Sequence, residues 1–221
     1  MSLESVRERM GRAAVRSRRD PGEVTLVVVS KGQSPESIRS LYDQGQIDFG
    51  ENRAQELAAK VGQLPSGIRW HFVGPLQTNK ARLVRGAVSL LHSLDRPELA
   101  RAWMKGPGLP PPSLLQVNIG REPQKHGVDP DEVIVRVADF AAIGVRLTGL
   151  MAIPPLGASA EDSRPFFRRL ADLGRHLAEA TGTQVDLSMG MSDDFEVAIE
   201  EGATFIRVGR AIFDLDRGPA G

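Results

Sequence analysis

Apolar residues fall in short continuous runs separated by longer mixed stretches. The runs are Val24–Ser30, Ile47–Phe49, Ile68–Val73, Val88–Ser93, Leu114–Ile119, Val145–Ile153, Gln184–Met189 and Thr204–Val208. They are rich in Val, Ile and Leu and do not alternate strictly with polar residues. Strands buried on both faces of a parallel sheet have this character. Between them lie helix-like stretches: Pro35–Gln44, Arg53–Gly62, Gln77–Arg85, Arg96–Lys105, Pro130–Ala142, Asp162–Thr181, Asp193–Glu201 and a short one from Arg210. Strands alternating with helices predict βαβ units with right-handed crossovers. Eight units share 221 residues at about 28 each, near the lower size limit of a (β/α)₈ TIM barrel. A doubly wound open α/β sheet is the alternative, and eight consecutive units favour closure. An N-terminal helix over about residues 2–19 precedes the first strand. No composition break marks a second domain, so residues 1–221 are expected to form one barrel domain with a frayed tail at Gly218–Gly221. The loop Gly106–Pro112 leads into a strand and is expected at the N-terminal face.

A barrel of this kind carries its active site at the C-terminal strand ends. The first run ends in Ser30-Lys31-Gly32 and the second in Gly50-Glu51-Asn52. The third contains His71, the fourth ends His92-Ser93-Leu94-Asp95, and the fifth ends in Asn118. The seventh gives Ser188-Met189-Gly190-Met191-Ser192, and the eighth Arg207-Val208-Gly209-Arg210. Of the five lysines, at 31, 60, 80, 105 and 125, Lys31 alone directly ends a buried strand. A partly desolvated lysine becomes an amine nucleophile able to form a Schiff base. The same residue could instead neutralise a bound phosphate or pair with Glu51. The last two strand ends offer hydroxyls, glycines and backbone N–H groups, where barrels often bind phosphate. Ser192-Asp193-Asp194 could equally cap the following helix. Arg207 interrupts an apolar run, and a buried arginine needs an acceptor. An ion pair with Glu51 or Asp95 would provide one, and a heterocyclic nitrogen would provide another. His71 reads first as a satisfied barrel histidine, Tyr42 as a packing residue, and the basic stretch Val6–Arg19 as a solvated face.

Composition narrows the function classes. Lys plus Arg and Asp plus Glu both total 28, giving zero formal net charge. Such a chain has no overall field for nucleic acid or an anionic membrane. Hydrophobic content of 41% and charged content of 25% are ordinary for a globular protein. Zero cysteine excludes disulfides, thiolate metal sites and cysteine nucleophiles. His92, His126 and Asp95 lack a metal-site spacing, and no metal is expected. No run of 18 apolar residues is present, so no transmembrane helix is expected. The N-terminus carries Glu4, Glu8 and Asp20 among its arginines and reads as a surface helix, with a cytoplasmic location as the default.

The strand-end residues resemble the pyridoxal phosphate (PLP) homeostasis protein family, the YggS/PROSC-like PLP-binding proteins. The matching blocks are Val29–Lys31, Phe49–Asn52, Trp70–Lys80, His92–Asp95, Gln116–Asn118, Gly149–Ile153, Leu187–Asp194 and Arg207–Phe213. They run in order over nearly the whole chain, and the Ser-Met-Gly-Met-Ser block is very specific. The resemblance implies a (β/α)₈ barrel like the N-terminal domain of bacterial alanine racemase. It implies PLP bound as an internal aldimine on Lys31, with Arg207 facing the pyridine nitrogen. It implies phosphate held around Ser188, Met189 and Ser192 and by the backbone of Gly209 and Arg210, with Asn52 close by and His71 lining the same pocket. Arg210 departs from the small hydroxyl residue common at its position, and Gly32-Gln33-Ser34 and Ile212-Phe213-Asp214 are also less typical.

The function so implied is PLP holding and supply to apo-enzymes without turnover, as a monomer or weak homodimer. An amino-acid racemase is the alternative. Two-base racemisation needs a second base opposite the lysine; the family's racemase relatives take a tyrosine from an extra β domain for which no residues remain here. A PLP-independent class I aldolase using Lys31 is a third reading, and such aldolases commonly carry the lysine on a later strand.

Overall fold

The structure, a computed structural model, describes residues 1–213. The frayed tail expected at Gly218–Gly221 lies outside them. Eight parallel strands close into a barrel in sequence order. They are β1 (Thr25–Val29), β2 (Asp48–Glu51), β3 (Arg69–Phe72), β4 (Leu90–Leu94), β5 (Ser113–Val117), β6 (Leu147–Ala152), β7 (Asp186–Ser188) and β8 (Phe205–Val208). Closure is made by β1 on β8, with Val27 opposite Arg207. Each of the eight apolar runs thus contributes one strand. The second sits later than expected and takes in Glu51.

The helices are α1 (Leu3–Arg16), α2 (Pro35–Asp43), α3 (Ala54–Val61), α4 (Ala81–Arg85), α5 (Pro97–Met104), α6 (Val133–Ile143), α7 (Arg164–Thr181), α8 (Phe195–Glu200) and α9 (Arg210–Phe213). Several begin later than the periodicity predicts because a 3₁₀ turn comes first, as at Thr78–Lys80 before α4 and Ala160–Ser163 before α7. The entry to α8 is displaced for a different reason. Asp194 does not cap forward; its carboxylate accepts from Met191 N–H at 2.7 Å and from Ser163 Oγ at 2.8 Å.

Helix α1 is more than a solvated face. It buries Leu3, Val6, Met10, Ala13 and Ala14. Its arginines meet acids of α8, with Arg9 at 2.6 Å from Glu196 and Arg16 at 2.8 Å from Glu200.

The interior has two zones. Between strands and helices lies the main apolar layer, with Trp103, Phe49, Phe72, Phe140, Phe167 and Phe195 fully buried. Inside the barrel a smaller cluster joins Leu90, Leu114 and Met151 to Ile153 and Phe205. The rest of that inner zone holds buried polar side chains: Asp48, His71, His92, Ser188 and Arg207. Burying such groups is costly unless each finds a partner.

Candidate functional site

At the C-terminal strand ends lies a cleft of about 380 Å³, within the range of small-molecule sites. Lys31, Asn52, Ser192, Arg207, Gly209 and Arg210 line it. Its apolar walls are Val29, Val73, Ile153, Met191 and Phe213. Six of the nine residues expected at the site therefore meet in one cavity.

Lys31 follows β1 in a turn that Gly32 completes with a φ of +70°. It is exposed, so the protein alone does not supply the desolvation that its strand-end position suggests. Nor does it pair with Glu51. That carboxylate is fully buried and receives Ser30 Oγ–H and Lys60 Nζ, each at 2.7 Å. Burial raises the Glu51 pKa, opposed by the hydrogen bonds from Lys60 and Ser30. Lys60 also donates to the Ser30 carbonyl and to Glu56, which in turn accepts from Gly32 N–H. This buried cluster holds the Lys31 turn from below and leaves the Lys31 amine without an acid partner among the described residues.

Arg207 is 4% exposed. Its guanidinium donates to Ser188 Oγ at 2.6 Å and to the Ala152 carbonyl at 3.0 Å. Neither Glu51 nor Asp95 pairs with it, because Glu51 is held by Lys60 and Asp95 by Arg96. Among the described residues it forms no salt bridge. Burial pushes its pKa down to about 10, with the charge of Asp194 opposing. A guanidinium has five N–H donors, and among the described residues only two have protein acceptors, so Arg207, which lines the cleft, keeps donor capacity for a ligand. Asn52 is likewise unengaged: its Oδ1 is buried and accepts no hydrogen bond.

The phosphate-cradle residues divide. Gly190 adopts a φ of +91°, and a Cβ there would lie 2.5 Å from Ala198 Cβ. Only glycine fits, and its turn swings Met191 and Ser192 over the cleft. The Ser192 hydroxyl has one long contact, from Ala211 N–H at 3.4 Å. Gly209 lies so close to β1 that a Cβ would stand 2.8 Å from the Val29 carbonyl oxygen. The Arg210 side chain points outward to Asp193 at 2.6 Å.

Three expectations need correction. Ser188 does not face the cleft: it is fully buried in β7, between Arg207 and His92. His71 is likewise inside the barrel, bonded to Asp48 and His92. Met189 packs in the outer apolar layer, while Met191 lines the cleft. Side chains alternate between the two faces of a strand, so neighbours in one motif serve different zones.

No family model matches the chain. It is 41% identical over 219 residues to the pyridoxal phosphate homeostasis protein of Aquifex aeolicus, covering 96% of this chain and 95% of the relative. The protein of that name from Deinococcus radiodurans is 42% identical over 221 residues, covering 96% and 100%. PipY of Synechococcus elongatus, solved with PLP bound, superposes with a TM-score of 0.76 at 34% identity, covering 94% of this chain and 99% of PipY. Its PLP-free form gives a TM-score of 0.82 at 36% identity over the same shares. A lysine/ornithine decarboxylase of Vibrio vulnificus shares the fold at 15% identity, with a TM-score of 0.68 over 94% of this chain and 61% of that one. With relatives this similar along nearly the whole chain, the protein belongs to the pyridoxal phosphate homeostasis protein family.

Proposed function

We propose that this chain, as a single barrel domain, binds PLP in the cleft and serves intracellular PLP homeostasis without catalytic turnover. The observation that carries the reading is the meeting in one cavity of Lys31, in the turn after β1, and Arg207 on the adjacent strand β8. The residues fit the group on three counts. Asn52 lines the cleft with its amide unengaged, its N–H₂ able to donate to a PLP oxygen, Arg207 is a buried donor without an acid, and Val29, Val73, Ile153 and Met191 offer walls for a flat ring. PipY, similar over 94% of the chain, is a PLP-bound relative that supports the reading.

When bound, PLP supplies an aldehyde able to condense with a primary amine. Lys31 provides that amine, held at the rim by the Gly32 turn and the Glu56 anchor. Ser192 and the backbone of Gly209 and Arg210 would hold the phosphate, Ser188 being committed inside the barrel. Arg207 would donate to the ring nitrogen and leave it unprotonated, without the electron sink that a carboxylate partner usually provides. Among the described residues, no second base beside Lys31 lines the cleft. Tyr42, the single tyrosine, lies on α2 against the outer apolar layer. Supply of PLP to apo-enzymes in the cytoplasm, by a monomer or weak homodimer, completes the proposal.

The test is spectroscopic. Purified protein mixed with PLP should show a visible band, and borohydride should bleach it and leave a mass label on Lys31. Lys31→Ala should lose the band and keep the fold. A band retained in that variant, with the label on Lys80 or Lys125, would overturn the assignment.

A further inference from the structure

The polar groups inside the barrel form one unbroken chain from the cleft to the barrel floor. Arg207 Nη1 lies 2.6 Å from Ser188 Oγ. Ser188 Oγ is 2.8 Å from His92 Nδ1, and His92 Nε2 is 2.9 Å from His71 Nδ1. His71 Nε2 is 3.0 Å from Asp48 Oδ1. Beyond Asp48 stands Arg69, which donates to both carboxylate oxygens at 2.8 and 2.6 Å. Asp48 also borders a depression of about 360 Å³ beside α1, on the opposite face from the cleft. Phe205 flanks the two imidazoles, with ring centroids 5.8 Å from His71 and 5.5 Å from His92.

The ends of this chain dictate its direction. A guanidinium can only donate and a carboxylate can only accept. Ser188 Oγ therefore accepts from Arg207, and its single hydrogen goes to His92 Nδ1. His92 then donates from Nε2 to His71 Nδ1, and His71 donates from Nε2 to Asp48. Every donor meets one acceptor. The opposite polarity would need a second proton on His71 and would leave the Ser188 hydrogen without an acceptor.

We propose that Ser188, His92, His71 and Asp48 are positioning residues for Arg207, forming a one-way relay anchored at its far end by the Asp48–Arg69 ion pair. The inference rests on the reading that Arg207 faces a PLP ring. Its physical sense lies in how Arg207 is held. A carboxylate directly beside Arg207 would take up its remaining N–H donors. A neutral hydroxyl at the head of aligned hydrogen bonds, which polarise one another, occupies one donor, fixes the guanidinium and leaves the others unclaimed by an acid.

The relay is tested on full-length protein with ¹⁵N-labelled histidine, without and with saturating PLP. Without PLP, both His71 and His92 should carry their hydrogen on Nε2. Adding PLP should shift both imidazoles, although neither lines the cleft, while His176 on α7 stays still. In PLP-saturated Ser188→Ala the response of His71 and His92 should vanish. Asp48→Asn, which keeps the shape at the far end, should shift the visible maximum of bound PLP. A residue acting only in packing would lower thermal stability and leave that maximum in place. A hydrogen on Nδ1 of either imidazole in the PLP-free protein overturns the relay, and that arm needs no variant. So does a visible band without imidazole shifts. Failure of PLP to give any band instead defeats the cofactor reading, and the relay falls with it.

Discussion

Two polar side chains line the cleft, and substitutions at them should separate binding from stability. An unsatisfied buried acceptor costs about 1–3 kcal/mol, so Asn52 Oδ1 is a liability in the folded protein, while the amide N–H₂ is the group able to donate to PLP. Asn52→Ala should leave the PLP-free protein as stable as the parent or more so. It should also weaken PLP retention by about tenfold, the ~1.4 kcal/mol share of one hydrogen bond. Unchanged retention in a dialysis assay would remove Asn52 from the site. Ser192 differs because its hydroxyl is barely engaged. A charge-assisted hydrogen bond to phosphate is worth about 1.5–3 kcal/mol. Ser192→Ala should therefore weaken PLP ten- to a hundredfold with little change in the visible spectrum. Equal affinity in titration would assign the phosphate to the Gly209–Arg210 backbone alone.

At the level of elements, the turn between β7 and α8 does the most to shape the cleft. Gly190 holds a left-handed backbone with Ala198 Cβ where its own Cβ would be. Gly190→Ala brings ~1–2 kcal/mol of backbone strain and ~1–3 kcal/mol of overpacking. Each kcal/mol shifts Tm by about 2–4 °C in a chain of this size, so calorimetry should show a drop of at least about 4 °C. PLP retention should fall as well, because the same turn carries Met191 and Ser192. A variant melting with the parent would mean that the turn can rearrange. The motif was legible in sequence as a glycine between two methionines and two serines. That its first serine and first methionine face away from the cleft was not, because the face a side chain takes depends on where the strand ends. β7 stops at Ser188, and the positive φ at Gly190 reverses the chain directly afterwards.

Over the whole molecule, the buried relay makes stability depend on pH. Burial, then the neighbouring His71 and Arg207, hold the His92 pKa well below 6.5. In the unfolded chain His92 binds a proton near that pH, and in the folded barrel it does not. The unfolded state therefore binds more protons in the acid range, and stability falls as pH drops below 6.5. The loss grows as pH falls further below the free histidine value, because His92 stays unprotonated in the folded barrel. Asp48 adds to the loss only at lower pH: burial would raise its pKa, but the hydrogen bonds from His71 and Arg69 hold it below the usual carboxylate value. Urea titrations at pH 7 and pH 5 should show this difference for the parent. In His92→Gln the dependence should flatten; an equally steep loss would place the titrating group elsewhere.

The barrel was legible from the chain alone. Strands buried on both faces must be continuously apolar, and eight such runs alternating with helical stretches leave few other packings. The sequence also marked Lys31 and Arg207, since a charged side chain at the end or in the middle of a buried strand needs a specific use. Only the tertiary structure decided which partners those residues have. The fate of Glu51 rested on Lys60 reaching back from α3. The pairing of Asp48, His71, His92 and Ser188 rested on barrel closure, which turns inward side chains from four strands toward one axis. His92 interrupts an apolar run just as Arg207 does, so its burial was readable in the same way. Its hydrogen-bond partners were not, because they lie 21 and 96 residues away in the chain, and strand order and register alone bring them together.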